Sequence, residues 1–493
     1  MSHPVWRCKG FLVLLPLLVG AGLRLYGLAT ESIWLDEATS ILLGQADIPT
    51  LIKATAQDIH PPAYYVLLHF WLYLGDSEFI ARALSAFLGV ISIAVIYQLG
   101  AKLHDEATGF ASALLLAISP LHIWYSQETR MYVLVTLWTM AGSFWLWRAL
   151  QREARADWIA YILCMALALY THYHAIFILL FQNCFVGIWW SLLPERRGLL
   201  RCWLMAQGGL ALLFLPWVPV LLSQVAQGGG GWVAKAIGHP GPRALLETWI
   251  DFSLGNVRQW YPLWIRRAAY GLFVLALVAA FIASLRKWRR GDDFVTWAAY
   301  LFSGMYTLLP LGGIWLISQV KPMYAGRYLL PFLPPYLLLV AAGIRQLPWK
   351  SWRVALFCGL MAVSLVGVAI AAQRPQKEDW RSAVRYVLQE ASPKDVVAFV
   401  PLWNFKPFDY YARGRLALYR ELPVPLPAEA DISLLLAPAL ADRERLWLIW
   451  SPGHYADPLG RVQEYLDGHF PRLLRGDFPG VGRISLYQTT GSR

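Results

Sequence analysis

Apolar residues along this chain come in blocks of roughly twenty, separated by short polar or basic breaks. A bilayer core asks for about 20 consecutive apolar helical residues. The blocks predict eleven spans, near residues 10–29, 79–101, 107–124, 131–149, 157–172, 175–193, 200–222, 267–286, 294–318, 328–345 and 352–372. The first block, Gly10–Leu28, follows Arg7 and Lys9 as a signal peptide would, but no small-residue cleavage site follows, and it reads as a retained helix. Residues 62–75, PAYYVLLHFWLYLG, are apolar but too short to span. They are expected as an interfacial or re-entrant helix, with Tyr64, Tyr65, Trp71 and Tyr73 at headgroup depth.

From about residue 373 the pattern changes. Trp380, Val384 and Leu388 share one face of a helix expected over Lys377–Glu390, while Val396–Val400 and Leu446–Trp450 read as buried strands. The expected fold class is an α-helical polytopic membrane protein, residues 1–372, followed by a small α/β domain, residues 373–493.

Composition agrees. The 493 residues are 57% hydrophobic and 15% charged, against about 25% charged in soluble domains, which makes the chain a membrane protein before any motif is read. The formal charge of +12 changes the picture only through its placement. Basic clusters at Arg7/Lys9, Lys102, Arg148/Arg152/Arg155, Arg196/Arg197/Arg201, Arg286/Lys287/Arg289/Arg290 and Arg345/Lys350/Arg353 all fall on one side of the eleven-span scheme. That side is cytoplasmic by the positive-inside rule, so the N-terminus is expected inside and the tail outside a cell (inner) membrane. Counting 62–75 as a span would put these clusters outside. Basic residues spent on loops also argue against a nucleic-acid partner. The five cysteines form no CxxC or His-Cys cluster, so neither a disulfide framework nor a zinc site is indicated.

Candidate chemistry lies in the outer segments 30–78, 125–130, 223–266 and 319–327. Asp36 and Glu37 follow the first span; a carboxylate there suits a general base or a cation ligand, and equally a helix start. His60 precedes two prolines and an apolar helix, where it is either a phosphate contact or a surface histidine. Glu128 and Arg130 sit at the membrane boundary in Tyr125-Ser126-Gln127-Glu128-Thr129-Arg130, as a functional pair or a structural contact. Lys321 and Arg327, beside Tyr324, break the positive-inside trend; they suit a lipid-carrier phosphate or snorkelling anchors. His172 and His174 invite a metal reading, which the lack of a nearby acid or cysteine in sequence disfavours.

The order of these motifs carries more than any one of them. An Asp-Glu pair after span one, a His-Pro-Pro-aromatic segment, a Ser-Gln-Glu loop after span three and a late basic-Tyr-Gly-Arg-Tyr loop resemble the bacterial membrane glycosyltransferases related to protein O-mannosyltransferases and lipid A aminoarabinose transferases. Their fold is called GT-C, and the resemblance covers residues 10 to about 345. It implies a sugar donor on polyprenyl phosphate, used at the outer face, and a lipid, glycan or protein acceptor. It implies Asp36 as the catalytic base for inverting attack, and Glu128 as the acid that positions the acceptor or a cation. Lys321, Arg327, His60 and Arg130 are then the donor-phosphate candidates, and Glu37, Tyr64 and Tyr324 the further substrate-binding ones. Relatives often carry lysine where this chain has His60, which shifts the phosphate role toward Lys321 and Arg327. No cofactor is certain; a divalent cation stays open. A transporter or flippase of lipid-linked sugars is the alternative, although no matched pair of broken spans is seen. An oligosaccharide polymerase or ligase is chemically close to the first reading.

Overall fold

Helices in the apolar blocks satisfy their backbone groups internally, which a lipid environment requires. The chain's computed structural model describes residues 6–193, 197–227, 238–290, 294–374, 377–441, 443–451 and 456–489. Arg196 and the Gly228–Gly231 run lie outside the described residues. The chain divides into two compact units, one of residues 1–28, 46–75 and 79–374, the other of residues 29–45, 76–78 and 375–493.

The first unit is helical. Its helices are α1 (Trp6–Leu25), α3 (Ile48–Gln57), α4 (Ala63–Trp71), α5 (Glu78–Leu103), α6 (Glu106–Ala117), α7 (Pro120–Ser126), α8 (Tyr132–Arg152), α9 (Arg155–Thr171) and α10 (Ala175–Leu192). They continue with α11 (Arg197–Phe214), α12 (Val218–Ala226), α13 (Arg243–Leu254), α14 (Leu263–Arg290), α15 (Phe294–Ile317), α16 (Leu333–Arg345) and α17 (Lys350–Gln373). Among the described residues, eight helical segments are long and apolar enough to cross a membrane, and a bent pair would make nine.

Three expectations need correction. The third expected span is broken: α6 stops at Ala117, Ser119 accepts the His122 amide hydrogen, and Pro120 opens α7 after a 61° bend. The seventh is longer than expected, running over Gly198–Ala226 with a 3-10 turn, Leu215–Trp217, at Pro216. The tenth starts as a 3-10 helix, Gly326–Phe332, because Pro331, Pro334 and Pro335 withhold amide hydrogens. Residues 63–74 form a short apolar helix below spanning length. Close packing between α14 and α16 uses small side chains: a Cβ on Gly343 would lie 1.8 Å from the Ala276 carbonyl oxygen.

The second unit holds α2 (Leu35–Gln45) and the C-terminal α/β domain. Its sheet order is β2-β1-β3-β5-β4, from strands β1 (Val396–Val400), β2 (Ala417–Tyr419), β3 (Arg445–Trp450), β4 (Arg472–Phe478) and β5 (Gly482–Gln488). β1 runs parallel to β2 and β3, and β5 antiparallel to β3 and β4. Alternate strand residues feed two cores. Val397, Phe399, Trp447 and Ile449 pack with α18 (Trp380–Glu390) and α19 (Phe405–Ala412). Ala398, Val400, Leu446 and Leu448 pack with α20 (Ile432–Leu440) and α21 (Arg461–His469). Helix α18 begins three residues later than expected, because Asp379 caps it by accepting the Ser382 amide hydrogen. That leaves Lys377 and Glu378 outside the helix.

Candidate active site

Four chain segments of the helical unit line a cavity of about 320 Å³. The loop before α4 gives Ile59 and His60, the α9–α10 turn gives His172 and His174, α12 gives Leu221, Gln224 and Val225, and the chain after α15 gives Lys321, Met323 and Tyr328. The turn is fixed locally. Helix α9 ends at Thr171, and the His174 amide donates to His172 Nδ1 at 3.2 Å. Gln224 anchors α12 by donating to the Thr55 and Ala56 carbonyls, and Tyr173 donates to its Oε1 at 2.6 Å. The rings of His172 and His174 lie 5.0 and 4.9 Å from that of Tyr328, and His60 lies 5.4 Å from His172.

The electrostatics of this wall are one-sided. Among the described residues no carboxylate lines the cavity, while Lys321 does. Burial holds His60 and His172 well below the ordinary histidine range; the Arg130 and Arg327 guanidiniums push His60 further in the same direction. Burial takes His174 down to about 4. Burial disfavours the charged form of all three rings, and Lys321, Arg130 and Arg327 supply the cations of this neighbourhood. The four basic candidates read from the sequence, His60, Arg130, Lys321 and Arg327, thus belong to one neighbourhood. His172 and His174 line it as neutral groups, which the sequence alone did not suggest.

Glu128 and Arg130 occupy the short loop between α7 and α8, and both are buried. The loop is held from several sides. Gln127 donates to the Arg24 and Tyr26 carbonyls at 3.1 and 2.9 Å, Ser85 accepts from or donates to Tyr64 and reaches the Arg130 carbonyl, and Arg130 donates to the Tyr65 hydroxyl at 3.5 Å. Arg24, fully buried in α1, donates to the Gly20, Leu116 and Ala117 carbonyls, to Ser126 Oγ and to His122 Nδ1. It therefore pins the break between α6 and α7. An arginine inside the first apolar block was the signal that could have announced it.

Asp36 and Glu37 lie in the second unit, in the first turn of α2, where acids favour the helix N-terminus. Asp36 is half-buried and Glu37 fully buried. The Glu37 carboxylate pairs with the Lys377 ammonium at 3.3 Å. Glu37, expected as a substrate contact, is thus engaged with Lys377 in this structure. Tyr64, the next substrate-binding candidate, is fully buried, with its hydroxyl on Ser85 at 3.0 Å. Tyr324 is also buried, sharing a 2.6 Å hydrogen bond with Thr248 of α13. On the same helix, Asp251 pairs with Arg258 at 3.1 Å, and burial raises its carboxyl to about 6. Among the described residues, no three His, Cys, Asp or Glu side chains are grouped to hold a metal ion.

Residues 59–222 match the family described as dolichyl-phosphate-mannose-protein mannosyltransferase. No curated protein matches the chain by sequence. Among solved structures, apo ArnT from Cupriavidus metallidurans aligns with a TM-score of 0.63 at 11% identity, over 98% of each chain. The same protein bound to undecaprenyl phosphate aligns at 0.58, with 11% identity and 99% of each chain covered. The apo oligosaccharyltransferase of Archaeoglobus fulgidus aligns at 0.59 and 12% identity, over 91% of this chain and 70% of that one. The chain has the fold of the GT-C glycosyltransferase superfamily.

Proposed function

We propose that the protein is an inverting membrane glycosyltransferase that moves a sugar from polyprenyl phosphate to a hydroxyl of a lipid, glycan or protein acceptor, at the outer face of the cell membrane. The observation that carries this reading is the cavity whose lining, among the described residues, combines Lys321 and His60 with Ile, Leu, Val and Phe side chains and no carboxylate. That mixture suits one ligand with an anionic head and an apolar chain. ArnT, which shares the fold, has been solved with undecaprenyl phosphate bound.

In this reading Asp36 accepts the proton of the acceptor hydroxyl as its oxygen attacks the anomeric carbon. The bond from that carbon to the phosphate oxygen breaks, and the electron pair leaves with the phosphate. Lys321, Arg327 and Arg130 stabilise the growing negative charge, and their fixed placement in a site shielded from water makes them effective. Glu128 orients the acceptor, and neutral His60 contributes a hydrogen bond rather than charge. Tyr324 holds α13 against the basic loop. Glu37 and Tyr64 act on position, not on substrate. The basic inner clusters support a cytoplasmic N-terminus and an external C-terminal domain. The test is transfer by purified protein in lipid, from a panel of labelled polyprenyl-phosphate sugars to membrane-extract acceptors. A new glycosidic product supports the reading; lipid translocation without product points to a transporter instead.

A further inference from the structure

The stretch carrying Asp36 is fastened to the C-terminal domain along its length, all within the second unit. The Arg381 guanidinium donates to the Ala29 and Thr30 carbonyls and pairs with Glu78. Its amide donates to Ser32 Oγ, which in turn donates to Asp379. The Ile33 amide donates to the Tyr411 hydroxyl at 2.7 Å, and that hydroxyl donates to Glu78. The Leu35 amide donates to the Glu378 carboxylate, which also accepts from Trp380 Nε1 at 2.5 Å. Lys377 pairs with Glu37, and Lys406 donates to Thr39 at 3.2 Å.

These contacts set the charge around one residue. Asp36 has Glu37 beside it in sequence, Glu378 close enough to repel it, and Lys377 as the ammonium on Glu37. The Lys377–Glu37 pair is almost completely removed from water, at 5% and 0% exposure, so solvent screens it little. Lys406 sits one turn further along α2. Like charges without a counter-ion disfavour the charged form of a carboxylate.

We infer that Lys377 and Glu378, from the C-terminal domain, are positioning residues for the transfer reaction: they fix the backbone of the Asp36 turn and balance the charge that surrounds it. This rests on the reading of Asp36 as the base. It gives the domain a part in catalysis, separate from any part in choosing an acceptor.

The experiment is the pH dependence of transfer for wild type, Lys377→Met, Glu37→Gln, the double variant of both, Lys377→Arg and Asp36→Asn, with the undecaprenyl-phosphate-linked sugar that the wild type uses. Removing Lys377 leaves carboxylates unopposed, so the acid limb of the rate profile moves up by about one pH unit. Glu37→Gln leaves an extra ammonium, so the limb moves down by a similar amount. The double variant removes one charge of each sign and returns the limb close to wild type, as does Lys377→Arg. A domain that serves only folding would lower the rate equally at every pH with the limb in place, and that result overturns the inference. If Lys377→Met does not fold, Glu37→Gln, which keeps shape, carries the same test with the opposite sign. Asp36→Asn separates the two claims. Transfer retained in Asp36→Asn removes the base assignment itself, whereas a dead Asp36→Asn with an unmoved limb in the other variants removes only the role of Lys377.

Discussion

The two units compensate their most deeply buried charges near the candidate residues in different ways, although ion pairs such as Arg148–Asp157 occur in the helical unit as well. In the helical unit, Arg24 is buried with carbonyls, a histidine and a hydroxyl, and it has no carboxylate partner among the described residues. The cavity of the same unit carries Lys321 and three histidines whose charged form burial disfavours, and no acid among the described residues. In the second unit, two buried acids are matched by cations: Glu37 by Lys377, and Asp395 by Arg445 with a further hydrogen bond from Trp447. Dipoles satisfy a guanidinium's donors without cancelling its charge, so the first arrangement preserves a positive field. Ion pairs cancel charge and fix geometry, so the second arrangement steadies an acid. The first arrangement is the one that the proposed anionic donor would need, and the second is the one that the proposed base would need.

The largest effect should come from breaking the uncancelled cation. Arg24→Met leaves buried carbonyls at the α6–α7 break without donors, a loss on the order of 3–5 kcal/mol. Reduced monodisperse yield and lost transfer are expected; normal yield and rate would show that the break holds itself. A smaller effect is expected at the cavity. Lys321→Ala removes one charge-assisted contact to a phosphate, worth roughly 10–100-fold in donor KM with little change in kcat. An unchanged donor KM would remove Lys321 from the phosphate site.

The neutral histidines sharpen the comparison through pH. The folded-state pKa of His174 is about 4, against an ordinary 6.5. Its contribution to stability is therefore present above pH 6.5 and is lost as pH falls through about 4. The thermal unfolding midpoint in detergent should fall across that window, and His174→Gln should flatten the fall. The smallest effect is expected in the second unit at Asp76–Arg413, where the arginine is half exposed. Arg413→Ala should change stability by less than about 1 kcal/mol, because water screens such pairs.

Much of this was legible in the chain before folding was considered. Every expected span contains a helix, since twenty apolar residues leave the backbone few other ways to satisfy itself in lipid. The tail strands alternate between two cores, which their continuous apolar runs announced. The break at Ser119-Pro120 was written in the residues but hidden by the apolar run around it. Pairings between distant positions were not legible: Glu37 and Lys377 are 340 positions apart, and nothing local in either marks the other. The same holds for His60, His172 and Tyr328, which become one wall only when three loops converge.

The most direct measurement pairs donor binding with transfer in Asp36→Asn, using purified protein in lipid and the labelled polyprenyl-phosphate sugar that the wild type consumes. The account predicts donor affinity close to wild type and transfer reduced by about 10²–10⁴-fold, the usual weight of a general base. Transfer by Asp36→Asn at the wild-type rate would contradict it.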